Sequence, residues 1–468
     1  MSEIEDAVDA ADELAPLTDA IAAALPSGWK LETLGSLCEK SQYGWTTKAD
    51  KDGQGVKFLR TTDITPGVVD WDRVPFCVAG PPDLEKYLIR EGDLLISRTG
   101  SIGVNYLVSN PEPAVFASYL IRFRPKKSIS TKYLRYYLQS PTYWRAIAAG
   151  KKGIAVQNVN ATMLSKIPVP VAPHSEQLEI VAEIEKQFSR LDEAVANLQR
   201  VKANLKRYKA SVLKDAVEGR LVPTEAELAR REGGNFETGE QLLQRILETR
   251  RSNWSGRGKF RTPGAPERDA ADLPQGWTWS SIDQLADVGT GATPNRSKVE
   301  FWVDGDVPWV TSGVANGDYV DKASEFVTQL ALAETNLTLY PAGTLLVAMY
   351  GEGKTRGKCA ELRISATTNQ ALAALQVNEQ VRAYVRHFLE LNYEEMRKVA
   401  SGGVQPNLNL SLVRAVAIPL PPLAEQVRIA AEVDRRLSLV HGVEAGIDAN
   451  LKRAQAFRQA ILSKTFSI

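Results

Sequence analysis

Two stretches of the chain carry apolar residues at alternating spacings of three and four. The first comprises Leu178, Val181, Ile184, Phe188, Leu191, Val195, Leu198, Val201, Leu205, Tyr208 and Val212. The second runs from Val427 through Ala430, Val433, Leu437, Val440, Val443, Ile447, Leu451, Ala454 and Phe457 to Ile461. A stripe this narrow is the seam of a helix lying against one partner helix. The pattern predicts a helix from near Ser175 to Leu213 and a second near the C-terminus, each about 40 residues and about 60 Å long. The simplest partner for each is the other, paired antiparallel. Elsewhere, short apolar runs predict strands: VKFLRTT, DLLIS and YLIRFRP in one region, VPWVTSG, GTLLVAM and AALQV in another. One helix per region should follow the last strand, with Tyr133, Leu134, Tyr137, Leu138 and Tyr143 on its core face.

The two regions are copies of one plan. LPSGW at Leu25 returns as LPQGW at Leu273, and STKYLRYYLQSPTYWRAIAAG is answered by EQVRAYVRHFLELNYEEMRKVASGG. Asn158 and Asn160 stand opposite Asn407 and Asn409, Glu176-Gln177 opposite Glu425-Gln426, and LKRYKASVL opposite LKRAQAFRQAIL. Landmarks that recur in one order at a nearly constant offset identify a tandem duplication. The fold class is therefore α+β, with two mixed α/β units joined by a pair of long antiparallel, coiled-coil-like spacer helices and related by a pseudo-two-fold internal repeat. The boundaries are an acidic leader over 1–24, a first unit over 25–173 and its spacer helix over 174–222. A short helix (GEQLLQRILETRR) and a flexible basic linker occupy 223–272, the second unit 273–422, and the C-terminal spacer helix 423–468. Antiparallel pairing would put the units at opposite ends of a rod.

Composition narrows the chemistry. The 468 residues are 44% hydrophobic and 24% charged, a globular profile, and no apolar run reaches the 18 or so residues of a membrane span. The leader has seven acidic side chains and no Lys or Arg, the reverse of a secretory signal, so the expected location is the cytoplasm. The net charge of +1 conceals +8 beyond the leader, modest for a nucleic-acid binder. Three scattered cysteines and three scattered histidines offer neither a disulfide framework nor a metal site. GEGKT at Gly351 has Ala348 where a P-loop needs its first glycine and is followed by a strand-like run. GTGATP and PPDLEK fit a cofactor cradle and a nuclease metal site no better. No catalytic set emerges, and the chain is expected not to be an enzyme and to bind no cofactor or metal.

Polar and basic residues gather in the expected loops instead. In the first unit these are Tyr43, Trp45, Thr46, Thr47 and Lys48, then Arg60 and Thr61, then Arg98, Thr99 and Ser101, and finally Lys151, Lys152, Gln157 and Asn158. In the second they are Thr293, Asn295, Arg296, Ser297 and Lys298, then Thr311 and Ser312, then Tyr350, Lys354, Thr355 and Arg356, with Asn369, Gln405 and Asn407. These residue types read base edges and clamp phosphates. Any one of them is more often a solvated loop residue, but a set carried by both units favours recognition over decoration.

These features resemble the specificity (S) subunit of type I restriction–modification systems. The resemblance rests on LPxGW opening each unit, proline-rich turns ending in Glu-Gln, helices closing with LKR and AIL, and GATPNRSKVEFWVDGDVPWVTSG in the second unit. It covers the chain from Leu25 onward. The first unit lacks a counterpart of that last segment, and the leader looks like an addition. The resemblance implies that each unit is a target recognition domain reading half of a bipartite, asymmetric DNA site with a non-specific gap. It further implies two methyltransferase subunits and two restriction/translocase subunits as partners, which would hold S-adenosylmethionine, ATP and Mg and direct adenine methylation and restriction. A non-catalytic coiled-coil scaffold and a self-contained DNA methyltransferase or nuclease are the alternatives.

Overall fold

The computed structural model describes residues 2–150, 158–254, 259–268, 272–350, 355–400 and 407–466. Contacts group the chain into one unit of residues 1–200 with 447–468 and another of 201–446. Each long helix thus contributes to both.

In the first unit, strands β1 (Lys30–Thr33) and β10 (Pro168–Val171) pair antiparallel, so the chain enters and leaves the domain side by side. Between them lie two sheets. One has the order β2-β9-β6-β7, from Gln42–Tyr43, Leu120–Phe123, Leu94–Ser97 and Asn105–Leu107. The other has the order β3-β5-β4-β8, from Ala49–Asp50, Phe76–Cys77, Lys57–Leu59 and Ala114–Phe116. Strand β6 is buried on both faces, with Leu94 and Ile96 in the main core and Leu95 in a second cluster. A continuous apolar run such as LLI is what a doubly covered strand requires.

The single helix expected after β9 is two, Thr131–Tyr137 and Pro141–Ala149. Pro141 has no N–H to continue the first helix, and the Ser140 hydroxyl caps the second by accepting from the Tyr143 amide. The expected core side chains are in place: Tyr133, Leu134, Tyr137, Leu138 and Tyr143 are fully buried. The leader is not an appendage. It forms the helix Ser2–Ala24, which buries Leu14 and Ile21. Leu14 joins the core of the first unit, with Leu17 packed against it.

The second unit repeats this order. Strand β11 (Thr278–Ser281) pairs antiparallel with β20 (Ala417–Leu420). The larger sheet runs β12-β19-β16-β17-β14, from Ala286–Thr290, Leu372–Val377, Leu345–Ala348, Cys359–Leu362 and Tyr319–Val320. The smaller runs β15-β13-β18, from Glu325–Val327, Val307–Val310 and Thr367–Thr368. Here too two helices, Arg382–Leu391 and Tyr393–Ala400, replace the one expected. The first unit does have a counterpart of the GATP…VPW segment. Strand β4 runs parallel to β8 as β13 does to β18, and Gly44 stands where Gly291 stands. A Cβ on Gly44 would lie 2.2 Å from the Ala117 carbonyl oxygen, and one on Gly291 1.7 Å from that of Thr368. The fold keeps the close approach while the surrounding residues have diverged.

The segment over 223–272 contains a helix the sequence reading passed over, Glu225–Glu232, as well as the expected Gly239–Ser252. Its basic stretch is strapped down where described. Arg261 pairs with the nearly buried Asp283, which also accepts from the Gly264 amide at 2.9 Å, and Arg268 lies over Trp279.

The long helices are His174–Val217 and Leu423–Phe466. Within the first unit, Val181, Ile184 and Phe188 share a core with Ile461, Leu462 and Phe466, and Asp192 pairs with Arg458 at 3.0 Å. Within the second, Val212, Leu213 and Ala216 share a core with Ile429, Val433 and Leu437, and Lys209 pairs with Glu444 at 3.0 Å. The seam is less continuous than its spacing suggests, because Leu178, Val201, Tyr208, Val427, Val443 and Phe457 are exposed. A stripe of this period drifts around a straight helix, and one partner covers only part of it. No helix among the described residues is long and apolar enough to cross a membrane.

Candidate nucleic-acid interface

The landmarks that recur are mostly structural. The indole of Trp29 donates to Glu176 at 3.1 Å, and that of Trp277 donates to Glu425 at 3.0 Å. Gln177 and Gln426 each donate to a carbonyl of the preceding turn, Ala172 and Pro421. Tyr133 and Tyr384 each donate to a carbonyl of the closing strand, Pro170 and Pro419, at 2.7 Å. These bonds clasp the beginning of each domain to the base of its long helix. Asn160 and Asn409 cap the helices Ala161–Ser165 and Leu410–Arg414, accepting from Met163 and Leu412. Asn160→Ala and Asn409→Ala should each lower stability by about 1 kcal/mol, read from thermal unfolding.

In the first domain the structure brings three of the expected residues together. Strand β6 ends at Ser97, and the next residue, Arg98, is fixed through its backbone. Its amide donates to the Tyr119 carbonyl at 2.9 Å, and its carbonyl accepts from the Val159 amide at 3.2 Å. The Arg98 guanidinium lies 5.1 Å over the Tyr43 ring, and its Nε donates to Asn158 Oδ1 at 3.2 Å. The Tyr43 hydroxyl accepts from the Ala161 amide at 2.9 Å. Thr61 and Ser97 hydroxyls meet at 3.3 Å, and Ser97 donates to the Thr99 carbonyl. Ser101, Thr46 and Lys48 are exposed. Other expected residues serve the fold. Asp63 holds Arg60 through its amide, Nε and Nη2. Trp45 donates to the Ala79 carbonyl and packs edge-on against Tyr87, while Thr47 accepts from the Ala79 amide.

In the second domain, Arg296 lies 3.7 Å over the Trp302 ring and 5.0 Å over Trp309, with Glu325 at 2.6 Å from its guanidinium. Lys298 sits over Phe301 and 3.9 Å from Glu334. Asn295 shapes this loop: its side chain accepts from the exposed Ser297 and its carbonyl from the Trp302 indole. Thr293 donates to Gln370 at 2.8 Å. Asn369 joins β13 to its neighbour, its amide donating to Val310 and its side chain accepting from Ala371. Thr311 and Ser312 are half-buried at the start of a short 3-10 helix, and Asn407, far along the chain from them, is half-buried as well. Tyr350 is exposed, Thr355 donates to Asn316 at 3.2 Å, and the Arg356 carbonyl accepts from Arg397. Lys151, Lys152, Gln157, Lys354 and Gln405, with the GEGKT motif up to Lys354, lie outside the described residues. Sequence reasoning passed over the exposed Tyr119, whose place at a strand start in ASYLIRF was the available signal, and Tyr319, which carries Arg363 at 3.6 Å.

Exposed cations stacked on aromatic faces are suited to electronegative, planar ligands. Comparison with known proteins bears on which. Residues 26–207 and 274–452 each match the family model for the type I restriction modification DNA specificity domain. The chain is similar to the EcoR124I/EcoR124II specificity subunit of Escherichia coli, 23% identical over 38% of this chain and 45% of that one. It is also similar to the MjaIX specificity subunit of Methanocaldococcus jannaschii, 28% identical over 35% of this chain and 38% of that one. The chain thus spans less than half the length of these two curated relatives. The EcoDI specificity subunit of Escherichia coli is 21% identical over 94% of this chain and 88% of its own length. A solved chain from work on complex assembly and conformational transition of the type I R–M system shares the fold. Its TM-score is 0.62 at 20% identity, over 94% of this chain and 98% of that one.

Proposed function

Because the chain belongs to the family of type I restriction modification DNA specificity domains, we propose that it is the DNA-recognition subunit of a type I restriction–modification complex. Each domain reads one half of a bipartite, asymmetric duplex site, and the two long helices set the non-specific gap between the halves. The observation that carries this reading is the presence of two copies of the DNA specificity domain in one chain. Their loops present different cations on aromatic faces, Arg98 on Tyr43 in one and Arg296 on Trp302 in the other, which suits two different half-sites. The contacts of both long helices within each unit support antiparallel pairing.

In this reading the chain supplies no catalysis and binds no cofactor. Two methyltransferase subunits bring S-adenosylmethionine and the pocket into which an adenine is flipped. Two restriction/translocase subunits bring ATP and Mg, and the complex works in the cytoplasm, where the DNA is.

Co-expression with modification subunits, followed by mapping of methylated adenines, tests this directly. A split motif with a fixed gap, present only with this chain, is expected. Methylation indifferent to the chain would favour a scaffold, and S-adenosylmethionine binding by the isolated chain would favour a self-contained enzyme. The spacer role predicts a further result. One heptad inserted after Arg200 and one after Gly446 adds about 10 Å to each helix. The gap in the methylated motif should then lengthen by about three base pairs. An unchanged gap would remove the helices from that role.

A further inference from the structure

The two domains can be superposed residue by residue through their backbone bonds, and this shows where they differ at one reading position. Strand β6 pairs with β9 with Ser97 opposite Leu120, and β16 pairs with β19 with Ala348 opposite Leu372. The next residues are therefore equivalent: Arg98 in the first domain and Met349 in the second. Two further bonds agree. The Arg98 amide donates to Tyr119 and its carbonyl accepts from Val159, while the Met349 amide donates to Ala371 and its carbonyl accepts from Leu408. Tyr43, opposite Ile121, matches Thr290, opposite Ala373, and Asn158 matches Asn407. At one place in a common scaffold, Tyr43, Arg98, Tyr119 and Asn158 stand where the other domain has Thr290, Met349, Ala371 and Asn407.

The first set is built to hold a guanidinium still. Tyr43 supports its face, Asn158 takes the Nε–H, and the backbone on either side of Arg98 is pinned. Its neighbours in the domain are paired with carboxylates, Arg60 with Asp63, and Arg122 and Arg124 with the shared Asp93. Arg98 has no carboxylate within salt-bridge distance among the described residues, and Tyr43 and Tyr119 beside it are exposed. With Nε engaged, the two terminal nitrogens form the remaining fork. A pre-oriented fork of two N–H donors matches the O6 and N7 acceptors of guanine in the major groove, the most frequent bidentate base contact. Met349 is buried and carries no donor.

We propose that Arg98 reads a guanine in the half-site of the first domain, and that the second domain makes no such contact at the equivalent position. This rests on the DNA-recognition reading above and adds to it the identity of one base and the residue that selects it.

The test uses the full chain assembled with its modification subunits, and duplexes carrying the methylated motif with each base of each half-site replaced in turn. The wild type should prefer guanine at one position of one half-site by about five- to 150-fold. In Arg98→Ala that preference should vanish at that position alone, with the other half-site read as before. Tyr43→Leu, which keeps the arginine but removes its support, should weaken the same preference, and it decides the matter if Arg98→Ala fails to fold. A uniform loss over all sequences, with the salt dependence reduced by about one unit, would make Arg98 a phosphate contact and overturn the assignment. So would an unchanged guanine preference, or a wild-type motif without guanine; both leave the subunit reading intact. A wild-type complex that methylates no specific site would overturn both.

Discussion

Replacing Arg98, Arg296 and Arg356 together with alanine should reduce affinity for the recognised duplex by about 3–9 kcal/mol. This estimate takes about 1–3 kcal/mol for each lost base contact. Specific readers gain about 4–10 kcal/mol on their site over random DNA, so the variant should bind cognate and random duplexes almost equally. The three positions sit on separate loops, and the first two have their side chains supported by aromatic rings. Arg296 is also paired with Glu325, but that pair is half-exposed at both ends. Exposed pairs of this kind contribute little to stability, so Arg296 can exchange the carboxylate for DNA at small cost, and the fold should survive its loss. The measurement is competition binding of the assembled complex at fixed salt, with thermal unfolding as a control. Undiminished specific affinity would exclude these loops as the reading surface.

The second large effect is on stability. Glu425 is fully buried, and burial pushes its carboxyl up to about 7 despite donors from the Glu225 amide and the Trp277 indole. Its repeat partner Glu176 is only half-buried. The difference is the helix Glu225–Glu232, whose first residue donates to Glu425 and pairs with Arg428. The proton is held more tightly in the folded state than in the unfolded one, where the carboxyl has its ordinary value of 4.5. This contribution is fully present below pH 4.5 and is lost as pH rises through 7, because the unfolded chain then gains by ionising. Between those limits stability should fall by roughly 2–4 kcal/mol. Glu425→Gln, which cannot ionise, should flatten that part of the profile and be the more stable form at pH 8. Urea unfolding from pH 4 to 8 measures both, and parallel profiles for the two proteins would show that Glu425 is not responsible.

Much of the architecture was legible because duplication prints it twice. The strands, the long helices and the Tyr133-Tyr137 face all followed from periodicity, and the family followed from the repeated landmarks. What the sequence could not assign was the work each repeated residue does. Trp29 and Glu176 are far apart in sequence, and nothing local marks them as one hydrogen bond; Asn160 is visible in sequence only as a repeated landmark, and its cap only in the fold. The leader misled for a physical reason. Its seven acidic side chains dominate the composition, while only Leu14 and Leu17 join the core of the unit and Ile21 is buried beyond them. Arg60 and Arg98 are equally basic in sequence, and only the presence of Asp63 beside one separates a fastened arginine from an available one.

The pairing of β1 with β10, and of β11 with β20, has an evolutionary consequence. Each domain begins and ends on adjacent strands, locked by the same Trp–Glu and Tyr–carbonyl bonds. A segment whose ends lie together can be exchanged, inserted or permuted without disturbing what flanks it. Recombination between LPxGW and the Glu-Gln turn would therefore transplant a whole domain onto an unchanged pair of helices. Under the proposed function, a new half-site would then arise in a single genetic event, with both long helices inherited intact.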